Sequence, residues 1–209
     1  MLPSNDFKNN KNSKTIETKQ FDEISTQYEN INFFERYWKS KCFTNIFQTF
    51  EKCSREHDLY SIKYAVDNGY HKLTIYNSSI IHYAAEFNNL SLVQDLISCG
   101  VDPNTRNSNQ RTPLHFACYH NSIDVVKYLL TLHGIDFNAQ DSFGDTPLHD
   151  ACNINHPVAV KLLSEFRGIN ISIENSTYKT AINMTNKANI HNLFNQKLII
   201  KFNDHFGRI

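Results

Sequence analysis

Along the middle of the chain, apolar residues fall on one helical stripe, break off at a glycine, and begin again. Leu90, Val93, Leu96 and Ile97 keep the spacing of one helix face, as do Ile123, Val126, Leu129 and Leu130. Val158, Lys161, Leu162 and Leu163 follow the same stripe imperfectly. The three segments end at Gly100, Gly134 and Gly168, where a residue of positive φ closes a helix. Beyond each glycine runs a short stretch that reads as the extended arm of a projecting loop: Val101 to Asn104, Ile135 to Asn138, and Ile169 to Ser172.

A shorter helix is predicted ahead of each longer one. Thr112-Pro113-Leu114-His115 returns 34 positions later as Thr146-Pro147-Leu148-His149. A weaker copy, Ser79-Ile80-Ile81-His82, lies upstream, and a decayed one, Thr180-Ala181-Ile182-Asn183, lies downstream. The phrase has a mechanical reading. Thr before a helix accepts a backbone N–H of the first turn. Pro at the first helical position loses nothing, because its missing N–H would be unpaired there. Leu points into the core, and His reaches back to the cap as the Glu of a capping box does.

A period in the low thirties headed by T-P-L-H-x-A resembles the ankyrin-repeat family, from about Asn45 to Lys197. The resemblance implies an all-α solenoid of stacked helix-turn-helix repeats with projecting loops and an N-terminal helical cap. Members usually carry Gly two residues before the Thr. Here only Gly144 does, while Gln110 and Tyr178 occupy the equivalent slots, so those two turns take a less comfortable backbone.

The ends read as atypical units, as terminal repeats are where one face meets water. His57 to Gly69 parallels Asn88 to Gly100, with a following loop two residues shorter, and Ile190, Leu193, Phe194 and Leu198 keep an apolar stripe. Residues 1–27 are rich in Asn, Lys, Ser and Thr and are expected to be disordered. Between 28 and 56 the aromatics crowd: Phe34, Tyr37, Trp38 and Lys41 share one helical face, and Phe43, Ile46, Phe47 and Phe50 another. Two readings stand for this segment, a pad for the open end of the stack or a helix that docks a partner. The repeat domain is placed at 57–198 and a tail at 199–209.

Composition narrows the chemistry. Twenty-one basic and twenty-one acidic residues cancel, which provides no basic footprint for nucleic acid. No apolar run approaches a membrane span and no signal-peptide core is present, so a soluble chain without membrane insertion is expected. Five cysteines follow no metal spacing and fit a reducing compartment. That places the protein in the cytoplasm, or in a host's cytoplasm if it is an effector. His115 with Cys118 and His149 with Cys152 could supply four zinc ligands, but each His is at a cap position and each Cys at the small buried position of its repeat. A Cys–His nucleophile from Cys42 or Cys53 with His57 is the weak enzymatic alternative. No cofactor, metal site or catalytic residue is expected.

Recognition remains. In the family the resemblance points to, a protein partner lies on the concave surface of loop tips and first helices. Carried onto this chain, its positions include Tyr83, Phe87, Arg111, Phe116, Tyr119, His120, Phe143, Asp145, Asp150 and Ile154. Aromatic and Arg side chains are the usual anchors of interfaces. The expected function is a non-enzymatic, monomeric binding module or adaptor. The alternative is an effector whose residues 28–56 engage a second partner.

Overall fold

The computed structural model describes the backbone of residues 11–195 and the side chains of residues 23–195. The chain divides into two compact units, Met1–Tyr70 and His71–Ile209.

The first unit is built from α1 (Lys11–Lys39), α2 (Phe43–Arg55) and α3 (Leu59–Asp67). Helix α1 begins inside the stretch expected to be disordered, a correction for residues 11–27. Residues 1–10 lie outside the described residues, as does the tail expected at 199–209. The reason for the correction is that no Pro or Gly interrupts Lys11 to Lys39, so nothing breaks the helix that the aromatic C-terminal half propagates. It stops at Lys41, left-handed at φ 53°, whose N–H bonds back to Trp38 O while Cys42 N–H bonds to Tyr37 O.

Phe34, Ile46, Phe50, Cys53, Ile62 and Ala65 are fully buried and form the core of this unit. The Phe34 ring meets Phe50 edge-on at 4.7 Å, and Trp38 stacks on Tyr70 at 5.0 Å. The 28–56 segment therefore packs with α3, and the boundary falls after Tyr70 instead of at 56. Asn30 is among the polar residues sealed inside. Asn30 donates from Nδ2 to Asp58 Oδ2 (2.8 Å) and accepts from Lys52 Nζ (3.0 Å), while Asp58 caps α3 by accepting from Ser61 N–H. A single amide thus joins all three helices.

In the second unit each repeat is a hairpin, a seven-residue inner helix and a nine-residue outer helix. The inner helices are α4 (Ile80–Glu86), α6 (Pro113–Tyr119) and α8 (Pro147–Asn153). The outer ones are α5 (Leu90–Ser98), α7 (Ile123–Thr131) and α9 (Pro157–Glu165). Inner helices pack side by side, α4 on α6 and α6 on α8, and each packs on its own outer helix. The chain passes from inner to outer helix through a left-handed asparagine each time: Asn88, Asn121 and Asn155. Asn tolerates that backbone better than other residues with a Cβ.

The core-facing triplet of each outer helix is Leu92/Val93/Leu96, Val125/Val126/Leu129 and Ala159/Val160/Leu163. This corrects the expected stripe of α9. Val158 and Lys161 are exposed because Pro157 starts that helix and Ala159 and Val160 take the inward positions. The array ends in a 3-10 turn, Ala181–Met184, followed by helical turns over 188–195 that bury Ile190 and Phe194.

The first hairpin shows why its loop is two residues shorter. Strands β1 (Thr74–Ile75) and β2 (Ser78–Ser79) join through Tyr76 and Asn77, both at positive φ, as a two-residue primed turn requires. In the later hairpins Gln110, Gly144 and Tyr178 all have positive φ, as their slots imply. A Cβ on Gly144 would lie 2.9 Å from Ser176 N, so the next hairpin also needs that position to be small.

Two stability changes follow. Leu148, 2% exposed in the shared core of α8, should cost about 2–5 kcal/mol on substitution by Ala in urea unfolding followed by circular dichroism. A loss below about 1 kcal/mol would contradict the register. Asn30→Leu should destabilise the first unit by about 1–3 kcal/mol, by leaving Asp58 and Lys52 short of a partner. Fluorescence of Trp38, the sole tryptophan, reads that unit.

Candidate functional site

The inner-helix face is positioned by histidines. Nδ1 of His82, His115 and His149 accepts the N–H of the residue at the head of its own helix, Ser79, Thr112 or Thr146. The ring proton therefore sits on Nε2. From there His115 donates to Asp145 O (3.1 Å) and His149 to Lys179 O (3.0 Å), each on the following hairpin. His82 reaches Thr105 O and Arg111 O in the same way. Burial holds the His82 ring down to about 4 and the His115 ring to about 3, so both stay neutral at physiological pH.

These rings are caps and inter-repeat ties. Cys118 and Cys152 beside them are buried, with thiols pushed up by desolvation, Cys152 to about 12. Among the described residues no group of three or more His, Cys, Asp or Glu is arranged to hold a metal ion. Cys53 is likewise a buried thiol raised to about 12, first by desolvation and then by Asp58 and Glu56.

Three asparagine or aspartate side chains shape the hairpins. Oδ1 of Asn107, Asp141 and Asn175 each accepts two backbone N–H groups of its own turn. Neighbouring turns are also hydrogen-bonded, Ser142 N–H to Asn109 O and Ser176 N–H to Phe143 O. The tips thus form a short ladder at one edge of the inner face.

Arg111 stands at the centre of that face. Its Nη2 pairs with Asp150, a residue of the next repeat, and its Nε lies 4.0 Å from Asp141 Oδ2. The guanidinium covers Phe116 at 5.5 Å and Tyr119 at 5.2 Å. Burial pushes the Asp150 carboxyl up to about 7. Arg111 opposes the rise, and Asp141 and Asp145 add to it.

The residues expected to bind therefore separate into two sets. Arg111 and Asp150 hold each other, and Phe116 and Tyr119 are half-buried beneath the guanidinium. Tyr83 is half-buried with its hydroxyl donating to Ile75 O, and Asp145 accepts from Asn175 Nδ2 at 2.7 Å. The open ones are Phe87 (61% exposed), Phe143 (64%) and Ile154 (38%), with His120, whose Nε2 is 3.8 Å from Glu86.

Sequence reasoning missed Tyr76 and Tyr178, the most exposed large side chains at the hairpin tips, at 88% and 84%. The signal was available. Both occupy positive-φ turn positions where a tyrosine has no local structural reason to be.

Residues 81–175 match the family model for ankyrin repeats, in three copies. That stretch is an ankyrin-repeat array. Over 60 residues, 29% of its length, the chain is 38% identical to human transient receptor potential cation channel subfamily A member 1, a stretch that makes up 5% of that channel. The chain thus spans a small fraction of that relative's length. Ankyrin repeats are protein–protein interaction modules, and no described helix is long and apolar enough to cross a membrane.

The Arg111–Asp150 pair generates a pH-dependent expectation. Arg111→Ala leaves Asp150 buried and unpaired, which should cost about 3 kcal/mol or more at pH 8. At lower pH the carboxyl escapes by binding a proton, because its folded pKa already lies above the unfolded value. Without Arg111 the carboxyl binds its proton at a higher pH than in the wild type, where it does so near 7. The variant's deficit therefore shrinks as pH falls from 8 toward 7, at up to about 1.4 kcal/mol per unit, and levels off below about 6, where both folded states are protonated. Comparing wild type and variant at each pH cancels the histidine contributions. A deficit that grows on acidification would contradict the assignment.

Proposed function

We propose that the array is a non-enzymatic module that binds a protein partner on its inner-helix and hairpin-tip face. The observation that carries this reading is where large apolar side chains are left in water. Phe87 and Ile154 end inner helices, and Tyr76, Phe143 and Tyr178 sit on hairpin tips. Among the described residues of this unit, Val158 is the one such side chain on an outer helix. Clustered exposed apolar surface marks interaction sites, and aromatic residues carry most interface energy. The face is preformed, since histidine ties, Asx turns and the Arg111 cross-link hold it before any partner arrives. A preformed surface avoids the ordering cost of binding.

A second partner site on the first unit is the alternative, supported by a shallow cleft between α1 and α2 lined by Phe33, Tyr37, Asn45, Gln48, Thr49 and Lys52. The buried, protonated thiols support both a non-enzymatic role and residence in a reducing compartment such as the cytoplasm. We take the chain to be monomeric in the absence of its partner.

The test is calorimetry with a partner identified by crosslinking. Phe143→Ala or Phe87→Ala should each weaken binding by about 2 kcal/mol. Lys127→Ala and Lys161→Ala, on the outer helices, should change it by less than about 0.5 kcal/mol. The reverse pattern would move the site to the outer helices. Insensitivity to all four, with losses on Phe33→Ala and Tyr37→Ala, would move it to the first unit.

A further inference from the structure

The inner face carries an unbalanced charge as well as exposed rings. From α4 to α8, its helices and hairpin tips hold Glu86, Asp141, Asp145 and Asp150 against Arg111. Arg111 is already committed to Asp150, and both Asp150 and Asp141 are nearly closed to water, with side chains 8% and 4% exposed. Arg106 beside the Arg111 turn is paired with Asp136, and the next hairpin tip adds one exposed cation, Lys179, so carboxylates still outnumber unpaired cations on this face. Glu86 is 23% exposed by its side chain, and Asp145 is half-buried.

Each of these two carboxylates lies close in sequence to an exposed ring. Glu86 precedes Phe87 at the end of α4, and Asp145 follows Phe143 by two residues on the hairpin before α8. A flat cation can lie on a ring and pair with a carboxylate at once, and the molecule contains this arrangement internally. Arg111 lies over Phe116 and Tyr119 while its Nη2 holds Asp150. Cation–π attraction and ion pairing reinforce each other there because both are partly shielded from water.

We propose that the partner is a peptide segment whose Arg or Lys side chains sit beside apolar ones. Its cations pair with Glu86 and Asp145, and its apolar groups cover Phe87, Phe143 and Ile154. This rests on the inner-face reading above and adds the partner's chemistry to it. The two acid–ring pairs lie two inner helices apart, about 16–20 Å at the usual helix spacing. They also sit at opposite ends of a seven-residue helix, about 10 Å more along its axis, so roughly 20 Å separates them. An extended chain rises about 3.3 Å per residue, so the two basic positions fall about six residues apart. An anionic partner, whether phosphopeptide or nucleic acid, would meet net negative potential on this face and is disfavoured.

The test uses the full chain, isotope-labelled for amide NMR, and three synthetic peptides on a Gly/Ser background. The first carries two Arg-Leu pairs about six residues apart. The second replaces Arg with Glu, and the third replaces Leu with Ser. The first peptide should shift the amides of Glu86, Phe87, Phe143 and Asp145, and should bind at least about tenfold more tightly than either control. Its affinity should drop about tenfold in the protein variant Glu86→Gln/Asp145→Asn, and added salt should weaken it. The amide replacements keep the acceptor for Asn175 and the fold.

Equal or tighter binding of the Glu peptide to the same amides would overturn the basic-partner proposal alone. Shifts confined to α5, α7 and α9 would overturn the inner-face reading beneath it. No shift with any peptide at millimolar concentration would overturn the proposal as well.

Discussion

Each inner helix of the array is seven residues long, too short to persist by its own hydrogen bonds, and one imidazole ring compensates for that shortness. Nδ1 closes the helix on its own first residue, and Nε2 reaches the backbone of the next hairpin. The ring must be neutral and in one tautomer to do both. A protonated ring would lose the Nδ1 acceptor, and burial prevents that by depressing the pKa of His82 and His115 far below neutrality. The stack is thus a chain of local caps, each completed only by its neighbour. Repeat proteins depend on neighbours for stability in this sense, and here the dependence is visible atom by atom.

The same ties determine which side chains are free to act. Arg111 looks in isolation like an interface anchor, yet the adjacent repeat supplies Asp150 and its own repeat supplies Phe116 and Tyr119. Its charge and planarity are spent within the array. That shifts the available chemistry to Phe87, Phe143 and Ile154 and to the carboxylates beside them. Hairpin ties such as Asn175 Nδ2 to Asp145, and Asn104 and Asn138 bridging to Gly134 and Gly168 of the next repeats, keep those groups in fixed relation.

The first unit follows a different logic. Its three helices converge on a core of aromatic and aliphatic side chains, with a buried Asn30 bonded to both α2 and the cap of α3. A buried amide contributes little net stability when satisfied, but its loss of partners is costly, so it favours the one packing arrangement that satisfies it.

Periodicity, the T-P-L-H phrase and the glycine spacing were enough to read the repeats, because capping, closure and helix-face burial are local rules written into a few adjacent residues. Gly100, Gly134 and Gly168, the histidine caps, and the positive φ of Gln110 and Tyr178 all belong to that class. The sequence also marked the inner-helix positions on which the proposed site is built, since they recur with the repeat. It did not decide which of those residues stay open. The boundary after Tyr70 and the capture of Arg111 by Asp150 each depend on groups far apart in the chain. Pairing across 39 residues has no local signature. Only packing in three dimensions could assign it, because burial and partnership are properties of neighbours in space.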